Sequence, residues 1–218
     1  MTHRNALESR TTRRMPPIVR TTALAMALTV SLAHSAHAER PTPPPVPAKL
    51  DVDAGSRAFL VGHATGTQNY ICLPSGSTFA WTLFTPEATL FNGHGKQLIT
   101  HFFSPNPIEN ETVRAAWQHS RDTSTVWAKL KASSSDAPFV EPGAIAWLLL
   151  DVVGAADGPS GGHALAATSQ IQRLNTVGGL APASGCSAST DVGAKAFVPY
   201  AADYFFYSHA QGDEGEED

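Results

Sequence analysis

The polar segment Gln170–Pro182 carries the side chains best suited to hold a ligand. Gln172, Arg173 and Asn175 lie close together in it and could present a fork of hydrogen-bond donors. The planar guanidinium of arginine matches the geometry of a carboxylate, and the two amides add further donors. These residues are therefore candidates to bind an anionic or carbonyl-containing ligand.

The same side chains have a structural interpretation, because they precede the double glycine at 178–179. Arg173 would then pair with a carboxylate such as Asp151 or Asp203, while Asn175 and Thr176 would bond to backbone groups of the turn. Polar residues beside a glycine turn most often shape it, so this role is the favoured expectation and ligand binding is the alternative.

Aromatic residues add two candidate ligand contacts. Period-2 geometry places Gln68, Tyr70 and Cys72 on one face of a strand, and a buried Tyr70 hydroxyl would need a hydrogen-bond partner. The tryptophans, Trp147 among them, either line a pocket for a sugar or an aromatic ligand or anchor the core. Tyr70 and Trp147 join the candidate ligand contacts, with core packing as the favoured role of Trp147.

An enzymatic site is the second possibility for this chain. His101 with Arg173 and a nearby carboxylate could serve a hydrolase that acts on an envelope or extracellular polymer. The motifs of several common enzyme classes are absent: there is no strand leading into Gly-x-Gly-x-x-Gly, no Gly-x-Ser-x-Gly elbow and no His-Glu-x-x-His pair. The segment Gly93–Gln97 superficially resembles a phosphate loop, but Leu90 stands where the first glycine belongs, which favours a hairpin turn.

Metal and cofactor chemistry is not indicated. The histidines that follow residue 38 stand too far apart in sequence to form the close ligand pairs common in zinc sites. They are His63, His94, His101, His119, His163 and His209. We predict no metal site and no cofactor.

Residues 1–38 have the pattern of a secretory signal peptide. Arginines precede the apolar stretch Ala23–Ala33, and the small-x-small site Ala36–Ala38 follows it, whether translation starts at Met1 or at Met15. The apolar stretch is shorter than the roughly 20 residues that cross a membrane, and no later segment is longer, so no stable membrane span is expected. The leader predicts an exported protein, periplasmic or extracellular.

Removal of the leader changes the net charge of the protein, and export places the two cysteines in an oxidising compartment. The leader contains five arginines and one glutamate, which leaves ten basic and eighteen acidic residues and argues against a nucleic-acid partner. Five of those acids lie in 213–218, so residues 209–218 are expected to form an acidic disordered tail. In an oxidising compartment Cys72 and Cys186 are expected to form one disulfide, with a reactive thiol as the alternative.

The rest of the chain is predicted to be a proline-rich linker and a single β domain. Residues 39–48 contain five prolines and are expected to be extended. From 49 to 208, short β-branched and aromatic runs alternate with turn residues, which predicts a mainly β fold, an antiparallel sandwich or closed barrel with little helix. The best helix candidates are Glu111–His119 and Ala164–Leu174. About ten short strands are expected: Ala58–His63, Asn69–Leu73, Thr78–Phe84, Ala88–Phe91, Gln97–Phe103, Thr125–Lys131, Ile145–Val153, Ala164–Leu174, Ala196–Pro199 and Asp203–Tyr207.

Five motifs in order resemble the family known as domain of unknown function 3455. They are Gln68-x-Tyr70-x-Cys72; Trp81 with Pro86-Glu87-Ala88-x-Leu90-Phe91; Ala144-Ile145-x-Trp147-Leu148-Leu149-Leu150; Ile171-Gln172-Arg173-Leu174-Asn175-Thr176-Val177-Gly178-Gly179 running to Gly185-Cys186; and Val198-Pro199-Tyr200-x-Ala202-x-Tyr204-x-Phe206-Tyr207.

This resemblance covers about Val46–Tyr207 and implies an exported protein of bacteria or fungi with no established activity. Some members carry a malate dehydrogenase label, which the missing dinucleotide glycines argue against here. The chain departs from the family near Arg121–Ser124, where Asp-Gly-Ser is expected, so a tight turn at that point is left open.

Three functions follow as hypotheses. The leading one is an exported, envelope-associated β module that binds an unknown small molecule or envelope component, or has a structural role. The alternative is a secreted hydrolase, which a histidine and a carboxylate converging on an open cavity would favour. The third is a ligand carrier with an apolar cavity lined by residues such as Trp147 and Phe206.

Overall fold

The computed structural model describes Arg40–His209, which form a closed barrel of eight antiparallel strands. Each strand pairs with the next one along the chain, and the last strand pairs with the first. The mainly β antiparallel prediction is confirmed, in its barrel form. The strands are β1 (Ser56–Ser75), β2 (Thr78–Phe91), β3 (Gln97–Asn106), β4 (Thr112–His119), β5 (Thr125–Ser134), β6 (Trp147–Ala156), β7 (Gln170–Gly178) and β8 (Lys195–His209).

Eight strands replace the expected ten because three predicted pairs of strands are continuous and one strand, β4, was not among the ten. The merged pairs are 58–63 with 69–73 in β1, 78–84 with 88–91 in β2, and 196–199 with 203–207 in β8. The turn expected at Gly93–Gln97 is present, and the Asn92 side chain accepts hydrogen bonds there from the backbone N–H groups of His94 and Lys96.

Two of the predicted breaks between strands, those inside β2 and β8, are absent from the structure, and each contains or adjoins a proline. Proline lacks a backbone donor and is found in a sheet mainly where a strand has an unpaired side. Pro86 lies beyond the last β2–β3 pair, at Ala88, and Pro199 lies beyond the last β8–β7 pair, at Tyr200. At each proline the strand keeps only β1 as a neighbour, so the strand runs on through it.

Gly66 lies in the third predicted break, between residues 63 and 69, where β1 is in fact continuous. A Cβ atom at this position would lie 2.0 Å from the carbonyl oxygen of Glu87 and 2.5 Å from the Cα of Ala88. The neighbouring strand approaches so closely that only glycine fits. Here a glycine marks tight strand packing rather than the end of the strand.

Strand β4 corrects the helix candidate Glu111–His119. Its residues pair one for one with β3, from Asn106↔Thr112 to Ile99↔His119. Val113, Ala115 and Trp117 alternate along the face that lines the cavity, and pairing with β3 outweighs the helix propensity of the Arg-Ala-Ala sequence. The second helix candidate is also wrong: residues 164–167 form turns, 168–169 have no regular secondary structure, and β7 begins at Gln170. In Arg40–His209 the helical elements are short 3-10 turns at Ala48–Leu50, Pro107–Glu109 and Ser189–Asp191.

Buried apolar side chains form two clusters on opposite faces of the barrel wall. The inner cluster includes Leu90, Ile99, Trp117, Ile171, Tyr204 and Phe206. The outer cluster includes Leu50, Val140, Trp147, Leu149, Leu174, Phe205 and Tyr207. The alternation along β8, from Tyr204 to Tyr207, shows the period-2 geometry that separates the two faces.

The outer cluster is covered by two irregular segments. Residues 40–47 have no regular secondary structure, and Val46 packs with Leu50 against the outer cluster. Val140 and Ala144 cover it from the β5–β6 connection. The signal-peptide prediction and nearly all of the acidic-tail prediction fall on 1–39 and 210–218, outside the described residues. No helix within the described part of the chain is long and apolar enough to cross a membrane.

The disulfide between Cys72 and Cys186 is present, with the two Cα atoms 5.5 Å apart and a sequence separation of 114 residues. It fastens the β7–β8 connection to the end of β1. The Trp81 indole strengthens the attachment by donating a 3.0 Å hydrogen bond to the carbonyl of Ser184. The cysteines therefore act as a structural staple across the wall of the barrel.

Candidate functional site

A cavity of about 610 Å³ opens at one end of the barrel. This volume lies within the usual range for pockets that hold small organic ligands. Its inner wall includes the side chains of His101, Trp117 and Tyr204, from β3, β4 and β8. Its polar lining also includes Gln68 and Arg173, from β1 and β7.

The mouth forms where neighbouring strands separate. Strand β2 pairs with β3 only from Ala88 to Phe91, and β4 pairs with β5 only from Ala115 to Gln118. The strand ends beyond these pairs leave the wall open. Four partly exposed aliphatic side chains line the cavity in this region: Leu83, Val113, Leu130 and Leu180.

His101 is held by stacking and by one hydrogen bond. Its ring lies 4.3 Å from the Trp117 ring with an interplanar angle of 11°, and its Nδ1 lies 2.8 Å from the Ala116 carbonyl oxygen. Because a carbonyl only accepts, Nδ1 carries the hydrogen. Burial lowers the pKa of His101 to about 3, so the ring is neutral and Nε2 is an acceptor.

Tyr200 and Tyr204 form a buried hydroxyl pair, with their oxygens 3.3 Å apart. Burial raises the pKa of both phenols, and the charge of Arg173 opposes that rise. Both tyrosines therefore remain neutral. Arg173 and Tyr204 line the same cavity.

Arg173 is the cation of the cavity that no carboxylate neutralises. Its Nη2 donates a 2.8 Å hydrogen bond to the Ala146 carbonyl, and no ion pair joins it to a described acidic residue. The other lining arginine, Arg114, is held by both carboxylate oxygens of Glu109 at 2.9 Å. None of the described residues that line the cavity is acidic.

Three donors of the lining have no hydrogen-bond partner among the described residues. They are Nε2 of Gln68, Nε1 of Trp117 and Nε of Arg173. All three atoms are enclosed by protein, so bulk water does not reach them. Gln68 neighbours the Tyr200 hydroxyl and Arg173 neighbours the Tyr204 hydroxyl, but Gln68 Nε2 and Arg173 Nε do not meet hydrogen-bond geometry with them. A buried donor without an acceptor is costly, and native proteins usually pair such groups with protein, water or ligand.

Tyr70 joins the cavity to the double-glycine turn. Its hydroxyl donates a 2.7 Å hydrogen bond to the Gly179 carbonyl, and burial raises its pKa. Gly179 has a positive φ of 84°, and a Cβ there would lie 2.9 Å from the Tyr200 side chain and 3.2 Å from Gln68. Both the backbone conformation and the close packing require glycine at this position.

The structure does not bring the predicted donor fork together. Arg173 faces the cavity, but Gln172 faces the outer cluster, where its amide donates to the Leu50 carbonyl and accepts from the Tyr207 hydroxyl. Asn175 is exposed and donates to Asp203, whose carboxylate also contacts His63. The period-2 alternation separates Gln172 from Arg173, and the positive φ of Asn175, 50°, turns its side chain away.

Other expected contacts also differ. Arg173 pairs with a backbone carbonyl rather than with Asp151 or Asp203, and Thr176 donates its hydroxyl to the Ile145 carbonyl. Trp147 lies in the outer cluster, as a core anchor, while Phe206 lies inside. A carrier cavity lined by both is therefore excluded, although a cavity exists. Of the six candidate ligand contacts, Tyr70, His101 and Arg173 line it.

Gln68, Trp117 and Tyr204 belong to the cavity but are not among the six candidate ligand contacts. Trp117 was considered only as one of four tryptophans that either line a pocket or anchor the core. The signal for Gln68 was its period-2 relation to Tyr70. Trp117 lay inside a helix candidate, which hid its alternation with Ala115. Tyr204 could have been found from its alternation with Phe206 along β8.

Neither the His119–Asp122–Ser124 group nor any described cluster of metal-ligating residues provides a second site. His119, Asp122 and Ser124 are neighbours, but His119 and Ser124 both bond to the same Asp122 oxygen, at 3.0 and 2.8 Å, so the three do not form a relay toward a nucleophile. Asp122 also accepts from the backbone of Ala164. No group of three or more His, Cys, Asp or Glu residues within Arg40–His209 could hold a metal ion.

The fold and the site define an eight-stranded antiparallel barrel with a ligand-sized, cation-bearing cavity at one end. The chain belongs to the family described as protein of unknown function (DUF3455), whose model matches residues 53–208. No curated protein and no solved structure matches the chain.

Proposed function

We propose that this protein is an exported binding module that takes a small organic molecule into the open end of its barrel. The observation that carries the proposal is a cavity of about 610 Å³ whose lining includes Arg173, a cation without a carboxylate partner among the described residues. A ligand that bears a hydrogen-bond acceptor would compensate this charge, and the cavity has the size of a small-molecule site.

Export is supported by the leader pattern in residues 1–38 and agrees with the Cys72–Cys186 disulfide, a bond typical of oxidising compartments. Expression of the full chain in a secreting host tests this part. We expect a mature product that begins at Glu39, measured by mass spectrometry of the exported fraction. A product that keeps the leader and stays in the cytoplasm would contradict export.

The hydrolase alternative receives less support from the cavity. A histidine base works best with a pKa near the operating pH, whereas burial lowers the pKa of His101 to about 3. Its Nδ1 bonds to the Ala116 carbonyl rather than to a carboxylate. No acidic residue is among the described lining residues, so the pairing that would favour an enzyme is missing there. A purely structural module would not need a cavity of this size.

Binding inside the barrel is tested with an apolar dye whose fluorescence rises in a dry environment. The variant Ala115→Phe adds bulk to the cavity wall, while Thr82→Phe adds a ring at an exposed position of β2 that does not line the cavity. We expect Ala115→Phe to weaken dye binding by tenfold or more, as an order of magnitude. Thr82→Phe should leave binding unchanged. Equal binding by all three proteins would overturn the cavity as the site.

A further inference from the structure

The charge of the cavity points to the chemical class of its ligand, an inference that rests on the proposed function of the cavity as a binding site. Arg173 is half-buried, lines the cavity and has no carboxylate partner among the described residues. A charge that is partly removed from water is costly unless an opposite charge compensates it. Nothing in the described lining supplies that opposite charge.

We propose that the cavity binds an organic carboxylate with an apolar chain, its head group at Arg173 and its chain directed toward the mouth. A carboxylate accepts several hydrogen bonds at once, and guanidinium is the side chain best matched to its planar geometry. The lining places the Arg173 guanidinium in the cavity wall, together with the side chains of Gln68 and Trp117. The single unneutralised guanidinium matches one negative charge, which favours a carboxylate over a phosphate dianion.

The mouth supplies the evidence for the apolar chain. Leu83, Val113, Leu130 and Leu180 all line the cavity and are 37%, 58%, 58% and 50% exposed. Single exposed aliphatic residues are common on protein surfaces, but four around one opening form a surface that water wets poorly. A ligand chain that leaves the polar interior between these side chains would cover them.

The neutral state of the inner aromatic groups agrees with an anionic head. Tyr200 and Tyr204 stay protonated, so their hydroxyls do not repel a carboxylate. His101 presents a ring nitrogen that accepts rather than donates, which disfavours a head group placed at its Nε2. The donors therefore select the Arg173 side of the cavity for the head group.

A head-group series tests the inference on the mature protein. Decanoate, decanol and decyltrimethylammonium share one chain and differ in charge, and each is titrated against the bound apolar dye. We expect decanoate to bind at least about tenfold more tightly than decanol, and the cation to bind most weakly. Equal binding of decanoate and decanol would overturn the carboxylate inference and leave cavity binding in place. No binding by any of the three, nor by the dye, would overturn both.

Two arginine variants supply the matched control. Arg173→Gln should reduce the preference for decanoate over decanol to about one, and Arg173→Lys, which keeps the charge without the planar fork, should restore part of it. Arg57→Gln also removes a cation, but Arg57 is exposed and does not line the cavity, so the preference should persist. An equal loss of preference in Arg57→Gln and Arg173→Gln would contradict a specific role for Arg173. Circular dichroism of each variant confirms that the barrel is folded.

Discussion

His101 and Trp117 lie face to face in the barrel interior, with ring centroids 4.3 Å apart and planes inclined by 11°. Both side chains are almost completely buried, and Tyr204 packs against each of them, 5.2 Å from the His101 ring and 5.7 Å from the Trp117 ring. This aromatic group lines the cavity. It also keeps an ionisable ring in a place where its charged form is strongly disfavoured.

The first prediction concerns stability and pH. In the unfolded chain His101 binds a proton near its usual pKa of 6.5, whereas in the folded chain its pKa is about 3. Between these values the unfolded state holds more protons, so the free energy of unfolding falls as the pH falls, at up to about 1.4 kcal/mol per pH unit. The contribution is complete above the unfolded pKa and is lost as the pH falls toward 3.

Urea unfolding of the protein and of His101→Phe at several pH values between about 7 and 5 measures this slope. In that range the carboxylates are ionised in both states, so they contribute little. We expect His101→Phe to have a shallower pH dependence, by about one proton. Parallel curves for the two proteins would mean that His101 is not buried in its neutral form.

The second prediction concerns the turn at residues 121–124. Thr123 adopts a positive φ of 59°, a conformation that β-branched residues rarely adopt. Resemblance to the family placed a glycine in this turn, and the chain makes the turn without one, because the Asp122 carboxylate accepts hydrogen bonds from the backbone N–H and the hydroxyl of Ser124. Thr123→Gly should therefore stabilise the protein, by about 0.5–1 kcal/mol.

Thermal unfolding of Thr123→Gly against the unchanged protein checks this. The control is Thr82→Gly, at an exposed strand position without a positive φ, where glycine should destabilise through its greater backbone entropy. A destabilised Thr123→Gly would show that the hydroxyl of Thr123, which donates to the Asp122 carbonyl, matters more than the backbone conformation.

The third prediction concerns the disulfide. Replacing Cys72 and Cys186 together by alanine frees the β7–β8 connection, which holds Leu180 at the mouth. In the chain-entropy account, a bond that closes a loop of this length contributes roughly 2–5 kcal/mol. We expect a loss of that size in urea unfolding and weaker dye binding. A reducing agent should shift the unchanged protein toward the variant and leave the variant itself unaffected; no shift in the unchanged protein would argue against the staple.

The sequence predicted the fold class because alternation of apolar residues is a local signal. Trp81 and Phe79 alternate with threonine and alanine along β2, and the structure keeps that strand. Strand ends were harder to predict, since Pro86, Pro199 and Gly66 look like terminators unless the neighbouring strands are known. Pairing with β3 decided that β4 is a strand rather than a helix, and pairing is a long-range property.

The candidate site was predicted less completely, for a related reason. Arg173, His101 and Tyr70 were selected by residue type, and all three line the cavity. Gln172 and Asn175 were grouped with Arg173 by sequence proximity, but a strand sends adjacent residues to opposite faces. The cavity exists because neighbouring strand ends separate at the mouth. This separation depends on pairs of strands, so no single segment of the sequence predicts it.

The central claim is that a small ligand enters the barrel and lies beside Arg173 and Trp117, and the indole N–H signals test it directly. The protein has four tryptophans: Trp81 and Trp127 donate to Ser184 and Ser104, whereas Trp117 inside the barrel and Trp147 in the outer cluster have no indole partner among residues 40–209. A nitrogen–proton correlation spectrum is recorded during titration with decanoate, and Trp117→Phe assigns the inner signal. We predict that the Trp117 signal shifts on binding while that of Trp147, its matched control, stays in place. A Trp117 signal that stays unchanged at saturation, or a shift confined to the other three, would contradict binding inside the barrel.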